Sequence, residues 1–94
     1  MTIVWAPGAI EHLAHLRAYI AHDNPKAANR IAGALLDAVE RLAELPNLGR
    51  PGRVGGTREL VVPGAPYIIS YRLRADRLEV IAVFHARQKW PKDL

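Results

Sequence analysis

Cysteine is absent from this 94-residue chain, which excludes disulfide staples, thiolate zinc sites and a cysteine nucleophile and makes a reducing cytoplasm the expected setting. No run approaches the 18 or so continuous apolar residues of a membrane span. Met1-Thr2-Ile3-Val4-Trp5 has neither a basic lead nor an apolar signal core, so neither export nor membrane insertion is expected. The sequence has no internal repeat, low-complexity segment or interdomain linker. Acidic residues are scarce in the second half: residues 50–94 carry nine Lys/Arg against four Asp/Glu, whereas residues 1–49 carry four against five. The basic character therefore belongs to the C-terminal half. With a pI near 10.0, it suits a nucleic-acid or acidic-protein partner, or serves solubility alone.

Half the residues are hydrophobic, and the length suits one small domain, residues 1–94. A domain of this size buries only about 60–65% of the surface its unfolded chain exposes, so a bound partner can add noticeably to its stability.

Thr2-Ile3-Val4-Trp5 is a short β-prone run ended by Pro7-Gly8. Ile10, Leu13, Leu16 and Ile20 then recur at the spacing of one helix face, which predicts an amphipathic helix over 8–22. Asn24 suits an N-cap and Pro25 a first helical position, so a second helix starts there, lined by Ile31, Leu35, Ala38 or Val39, Leu42 and Leu45 and stopped by Pro46. Residues 47–56, with four Gly and one Pro, read as a loop. β-branched and aromatic residues then mark strands over 57–62, 67–74 and 78–85, close enough for consecutive hairpins. The expected architecture is α+β, in the order β-α-α-β-β-β: an antiparallel helix pair packed on a mainly antiparallel sheet.

Several groups are candidates for chemistry. His12, His15 and His22 on the first helix invite a metal reading, but no carboxylate falls convincingly on their face, and no metal or cofactor is expected. Gly49-Arg50-Pro51-Gly52-Arg53 lacks the spacing of a P-loop and follows a helix rather than a strand. Arg50 and Arg53 there either grip a partner or are plain solvated charge. Arg58 lies in a strand opposite in direction to Glu59, with a cross-strand salt bridge to Glu79 or Asp76 as the structural alternative to a site role. Arg72 and Arg74 share a strand face with Ser70 and Ile68 and suggest a positive stripe. His85 ends an apolar strand, where it serves as a general acid or base or donates to a backbone carbonyl. Arg87 follows close enough to hold a phosphate beside it. Trp90 either stacks on a target or seals the core end.

The element order, Tyr19-Ile20-Ala21 leading to Asp23-Asn24-Pro25 and Ala27-Ala28, the Gly-Arg-Pro-Gly-Arg loop, Arg58-Glu59-Leu60, Tyr71-Arg72 and the terminal Phe84-His85 to Trp90-Pro91 together resemble the RelE/ParE superfamily of bacterial toxins. The agreement runs over nearly the whole chain. It implies a cytoplasmic toxin of a type II toxin–antitoxin module, with a cognate antitoxin that covers an apolar groove beside the sheet by a helix or an added strand. Two activities share that fold. RelE-like members cut mRNA on the ribosome without a metal, whereas ParE-like members poison DNA gyrase.

Carried over by position, the nuclease pattern implies catalytic roles for Arg58, His85 and Arg87. Ile68, however, stands where those nucleases carry an arginine, and losing such a preorganised charge costs on the order of 2.7–4 kcal/mol of barrier. Trp90 replaces an aromatic that could exchange a proton. Tyr71-Arg72 and the histidine ending the last strand are similar to features of ParE-like members, so gyrase poisoning is expected ahead of RNA cleavage, with Arg50, Arg53, Arg72, Arg74 and Trp90 as target-binding residues. A non-toxic plasmid-maintenance binding module is the reading from another class.

Overall fold

The computed structural model describes residues 1–87. Strand β1 (Thr2–Trp5) runs into helix α1 (Pro7–Asp23), where Pro7 occupies the first turn and forgoes an amide that had no intrahelical partner. Helix α2 (Pro25–Glu44) follows after one residue. That residue, Asn24, does two jobs. Its backbone N–H donates to Ile20 O and closes α1, while its side-chain Oδ1 accepts from Ala27 N at 3.0 Å and opens α2. Arg17 Nη2 donates to Asn29 Oδ1 at 2.7 Å, tying the two helices together across their connection.

Beyond α2 come β2 (Arg50–Pro51), β3 (Arg58–Val61), β4 (Tyr67–Arg74) and β5 (Arg77–His85). They form one sheet in the order β1-β5-β4-β3-β2, antiparallel throughout except that β1 lies parallel to β5. The α+β arrangement is thus the expected one with a further two-residue strand, β2, inside the segment read as loop. Its proline is tolerated because β2 is the edge of the sheet.

The helices cover one face of the sheet. Leu35, Val39 and Leu42 of α2 meet Ile69 and Tyr71 of β4 and Leu78, Val80 and Val83 of β5, all buried. On α1 the sheet-facing stripe runs Ala9, Leu13, Leu16, Ile20. Ile10, read from the sequence as part of this stripe, is 54% exposed, because Ala9 already points at the core and the next residue lies about 100° further round the helix. Leu45 is likewise exposed; α2 ends at Glu44 and Leu45 leaves the helical path.

In β5 the alternation of faces breaks once. Ser70 stands opposite Ala82 but Tyr71 opposite Val80, so Ile81 is an extra residue, a β-bulge. Before it Leu78 and Val80 face the helices; after it Val83 does, while Ala82 and Phe84 turn to the other face and join Ile68 in a second, smaller apolar cluster.

Tyr71 locks helix layer to sheet. Fully buried, its hydroxyl donates to Pro46 O (2.8 Å) and accepts from Gly49 N (2.9 Å), fixing the chain just after α2. Arg58 Nη1 adds a bond to Gly49 O at 2.7 Å. Burial raises the Tyr71 pKa above its ordinary 10.0, against the opposing pull of the Gly49 bond and the Arg58 charge. Position 49 must be glycine, since a Cβ there would lie 2.6 Å from the Tyr71 hydroxyl and 2.9 Å from Glu59 O. At the β4–β5 turn, Ala75 adopts φ 52°, a left-handed conformation that disfavours any residue with a Cβ.

Two stability changes follow. Tyr71→Phe leaves the Gly49 amide and the Pro46 carbonyl without their partner and lowers stability by about 1–3 kcal/mol, read from urea unfolding midpoints with an unchanged far-ultraviolet spectrum. Ala75→Gly relieves the turn and raises stability by roughly 1 kcal/mol in the same measurement.

Candidate functional site

The sheet face away from the helices carries the arginines. On β2 and its loop, Arg50 and Arg53 bracket Glu59: Arg53 Nε lies 3.2 Å from Oε2, Arg53 N donates to that oxygen at 3.1 Å, and Arg50 Nη2 stands 3.6 Å from Oε1. The Glu59 side chain is 2% exposed, against 60% and 45% for its two arginines. The Arg53 guanidinium also lies over the Phe84 ring, 5.5 Å from its centroid.

A second cluster surrounds Glu79 on β5. Arg72 Nε donates to Glu79 Oε1 at 2.5 Å, and Arg74 and Arg77 stand at 3.8 and 4.0 Å. The Arg72 bond, working against partial desolvation and helped by the charges of all three arginines, holds the Glu79 carboxyl below its ordinary 4.5. Arg72 and Arg74 do share a face with Ser70 and Ile68, as the strand alternation required, and the register adds Arg77 opposite Arg74. Between the two clusters lie Ser70 and Ala82, with Ile68 and Phe84 in the next row on the side away from Glu79; all four are buried, and among the described residues the Ser70 hydroxyl has no hydrogen-bond partner.

Arg58 is not part of this face. It stands opposite Tyr71, on the helix side, and its partner is the Gly49 carbonyl rather than Glu79 or Asp76. His85 lies at the far end of β5, opposite Tyr67 on β4, the two rings edge to face at 5.4 Å. Four residues along the strand and two strands across separate it from Arg58, roughly 16 Å between Cα atoms. Arg87 does stay beside His85, its backbone N–H donating to His85 Nδ1 at 3.1 Å. The imidazole therefore accepts from the main chain, where a donor role towards a carbonyl was the expected structural alternative. In its neutral form its proton sits on Nε2. Trp90 lies outside the described residues.

The sequence reading missed what surrounds His85. His12, His15, Leu16 and Tyr19 of α1 meet Tyr67, Val83, Phe84 and His85 around an open cleft of about 440 Å³. His12 Nδ1 accepts from Val83 N at 3.2 Å. Burial, with Tyr19 nearby, raises the Tyr67 pKa above 10.0. The signal was present as the spacing of His12, His15, Leu16 and Tyr19 along one helix stripe, but only the fold brings that stripe to the end of β5. His22 does not line the cleft, and no group of three or more metal-ligating side chains converges among the described residues. Glu59 and Glu79, the carboxylates under the arginines, were also missed as organisers of the face.

Comparison with known proteins covers nearly all of this structure. The family model for the ParE toxin of type II toxin–antitoxin system, parDE, matches residues 3–90. A Sinorhizobium fredii protein named as toxin Y4kP is 47% identical over 92 residues, spanning 98% of this chain and 95% of the relative. Toxin RelE2 of Caulobacter vibrioides is 34% identical over 84 residues, spanning 89% and 93%. A chain from the solved chromosomal ParDE TA system from P. aeruginosa superposes with a TM-score of 0.82 over 90% of this chain and 95% of that one, at 19% identity, and so shares the fold.

The Glu79 cluster makes stability depend on pH in a defined direction. A carboxyl whose folded pKa is lowered stabilises the fold while ionised, so its contribution is complete above the ordinary carboxylate pKa and is lost as pH falls through the lowered value. The stability gap between the parent chain and Glu79→Gln is expected to be constant near neutrality and to shrink below about pH 4.5, the ordinary Glu value, as read from thermal unfolding across that range.

Proposed function

The chain belongs to the family of ParE toxins of type II toxin–antitoxin systems, and on that premise we propose that it arrests growth by poisoning DNA gyrase and that a cognate antitoxin neutralises it. The observation that carries this reading over RNA cleavage is the dispersal of the groups a nuclease would have to converge. Arg58 bonds to the Gly49 carbonyl on the helix side, two strands away from His85 and its neighbour Arg87 at the far end of β5, and Ile68, on the opposite face, is a buried aliphatic side chain. General acid–base work on a phosphate needs its acid, base and cation within hydrogen-bond reach of one group. A poison that acts by binding needs only a rigid, correctly charged surface, and the sheet supplies one.

The antitoxin's seat in this proposal is the apolar groove between α2 and β3, lined by Ala34, Ala38, Leu48, Leu60 and Pro63 and flanked by Asp37 and Arg41. Leu48 is 47% exposed there, a large aliphatic side chain that a partner would desolvate.

Purified protein added to gyrase and plasmid DNA is expected to block supercoiling and to accumulate cleaved DNA, with both effects reversed by the antitoxin. Translating ribosomes treated in parallel are expected to keep their mRNA intact. Cut mRNA with gyrase unaffected would overturn the proposal in favour of RNA cleavage, and inertness in both assays would leave a non-toxic binding module.

A further inference from the structure

We infer that the helix-free face of the sheet is a contact surface for the phosphate backbone of duplex DNA, a proposal that deepens the gyrase reading by assigning this face to the DNA rather than to a protein surface. Five guanidiniums, Arg50, Arg53, Arg72, Arg74 and Arg77, stand on that face over two carboxylates, Glu59 and Glu79. The carboxylates lie beneath, 2% and 17% exposed, and the arginines above are 39–60% exposed. An approaching partner therefore meets cations, with the compensating charge held underneath to orient them.

Three further observations favour phosphate. Among residues 50–87 all seven Lys/Arg positions are arginine; a planar fork of N–H donors matches phosphate oxygens in pairs. Among the described residues Glu79 takes a short hydrogen bond from Arg72 alone, and Arg74 and Arg77, at 3.8 and 4.0 Å, lie beyond hydrogen-bond length with donors to spare. The cationic row also runs from the β2 edge to the β4–β5 turn, three strand spacings across and four residues along, roughly 20 Å corner to corner. That span fits a repeating anion better than one carboxylate.

A protein partner fits this face poorly. Protein interfaces are anchored by an apolar centre that binding desolvates, and here the central Ser70 and Ala82 are fully buried, with Ile68 and Phe84 beside them at 3% and 2% exposure. Val4 and Val61, the large apolar residues left exposed on this face, lie on the outer strands. Contacts of this kind are made to the backbone and carry no sequence code.

The test is fluorescence anisotropy of a short labelled duplex with the full chain and no gyrase present, over about 50–200 mM salt. Each phosphate-contacting arginine steepens the plot of log affinity against log salt by about one unit. Arg74→Gln/Arg77→Gln is expected to flatten that slope by about two units whatever the duplex sequence, with an unchanged far-ultraviolet spectrum. Lys26→Gln/Arg30→Gln, which removes the same charge from the exposed side of α2, is expected to leave it as it was. Equal flattening by both pairs, no flattening by either, or tighter binding to poly-glutamate than to a duplex of equal charge would overturn the proposal, the last result assigning the face to an acidic protein. Because gyrase is absent, the outcome is independent of whether the chain poisons that enzyme.

Discussion

One buried hydroxyl fixes where the rest of this fold can sit. Tyr71 reaches from the middle of β4 to the chain leaving α2, and its donor bond to Pro46 and acceptor bond from Gly49 define the path by which the helix layer hands over to the sheet edge. The short β2 follows directly, so the placement of Arg50 and, through Glu59, of Arg53 depends on that handover. Arg58 strengthens the same junction from the neighbouring strand. A buried polar network of this kind is favourable only when every member is satisfied; here the backbone groups and the phenol meet each other's needs, with glycine at 49 leaving the required space.

The two sheet faces divide the labour. On one, aliphatic packing against α2 supplies the stability of a small domain. On the other, carboxylates are sunk beneath guanidiniums, an arrangement whose energetic value at the solvent boundary is small but which holds long, entropically costly side chains in place. The nearly neutral first half supplies the helix layer, whereas the basic second half supplies four of the five strands and with them both the helix-facing core residues of the sheet and the arginines of its other face.

The helices were legible because their signals are local. Apolar spacing, Asn24 before Pro25 and the stop at Pro46 each act within a turn or two. Strands β1, β3, β4 and β5 were legible from β-branched and aromatic runs. Strand β2 was not: two residues, one of them proline, in a glycine-rich segment carry no alternation to read, and only the partner strand defines them. Partners of the charged residues were illegible for a related reason. Arg58 bonds to a backbone carbonyl, which every residue possesses and none advertises, and His12 meets β5 across 71 positions of chain. Arg50, Arg53, Arg72 and Arg74 of the candidate face could be named from the sequence, and the shared face of Arg72 and Arg74 followed from strand alternation; Arg77 joins them only through the β4–β5 register. The sinking of Glu59 could not, because it depends on where the β2 loop folds back.

The extra residue at Ile81 bears on how relatives of this chain are lined up. Up to Val80 even positions of β5 face the helices, and from Val83 onward odd positions do. Two sequences that differ by a single insertion or deletion near this point would exchange the helix-facing and helix-free sides over the whole remainder of the strand, His85 included. A gap placed one position astray would thus equate a residue packed beneath the helices with one of the smaller cluster behind the sheet.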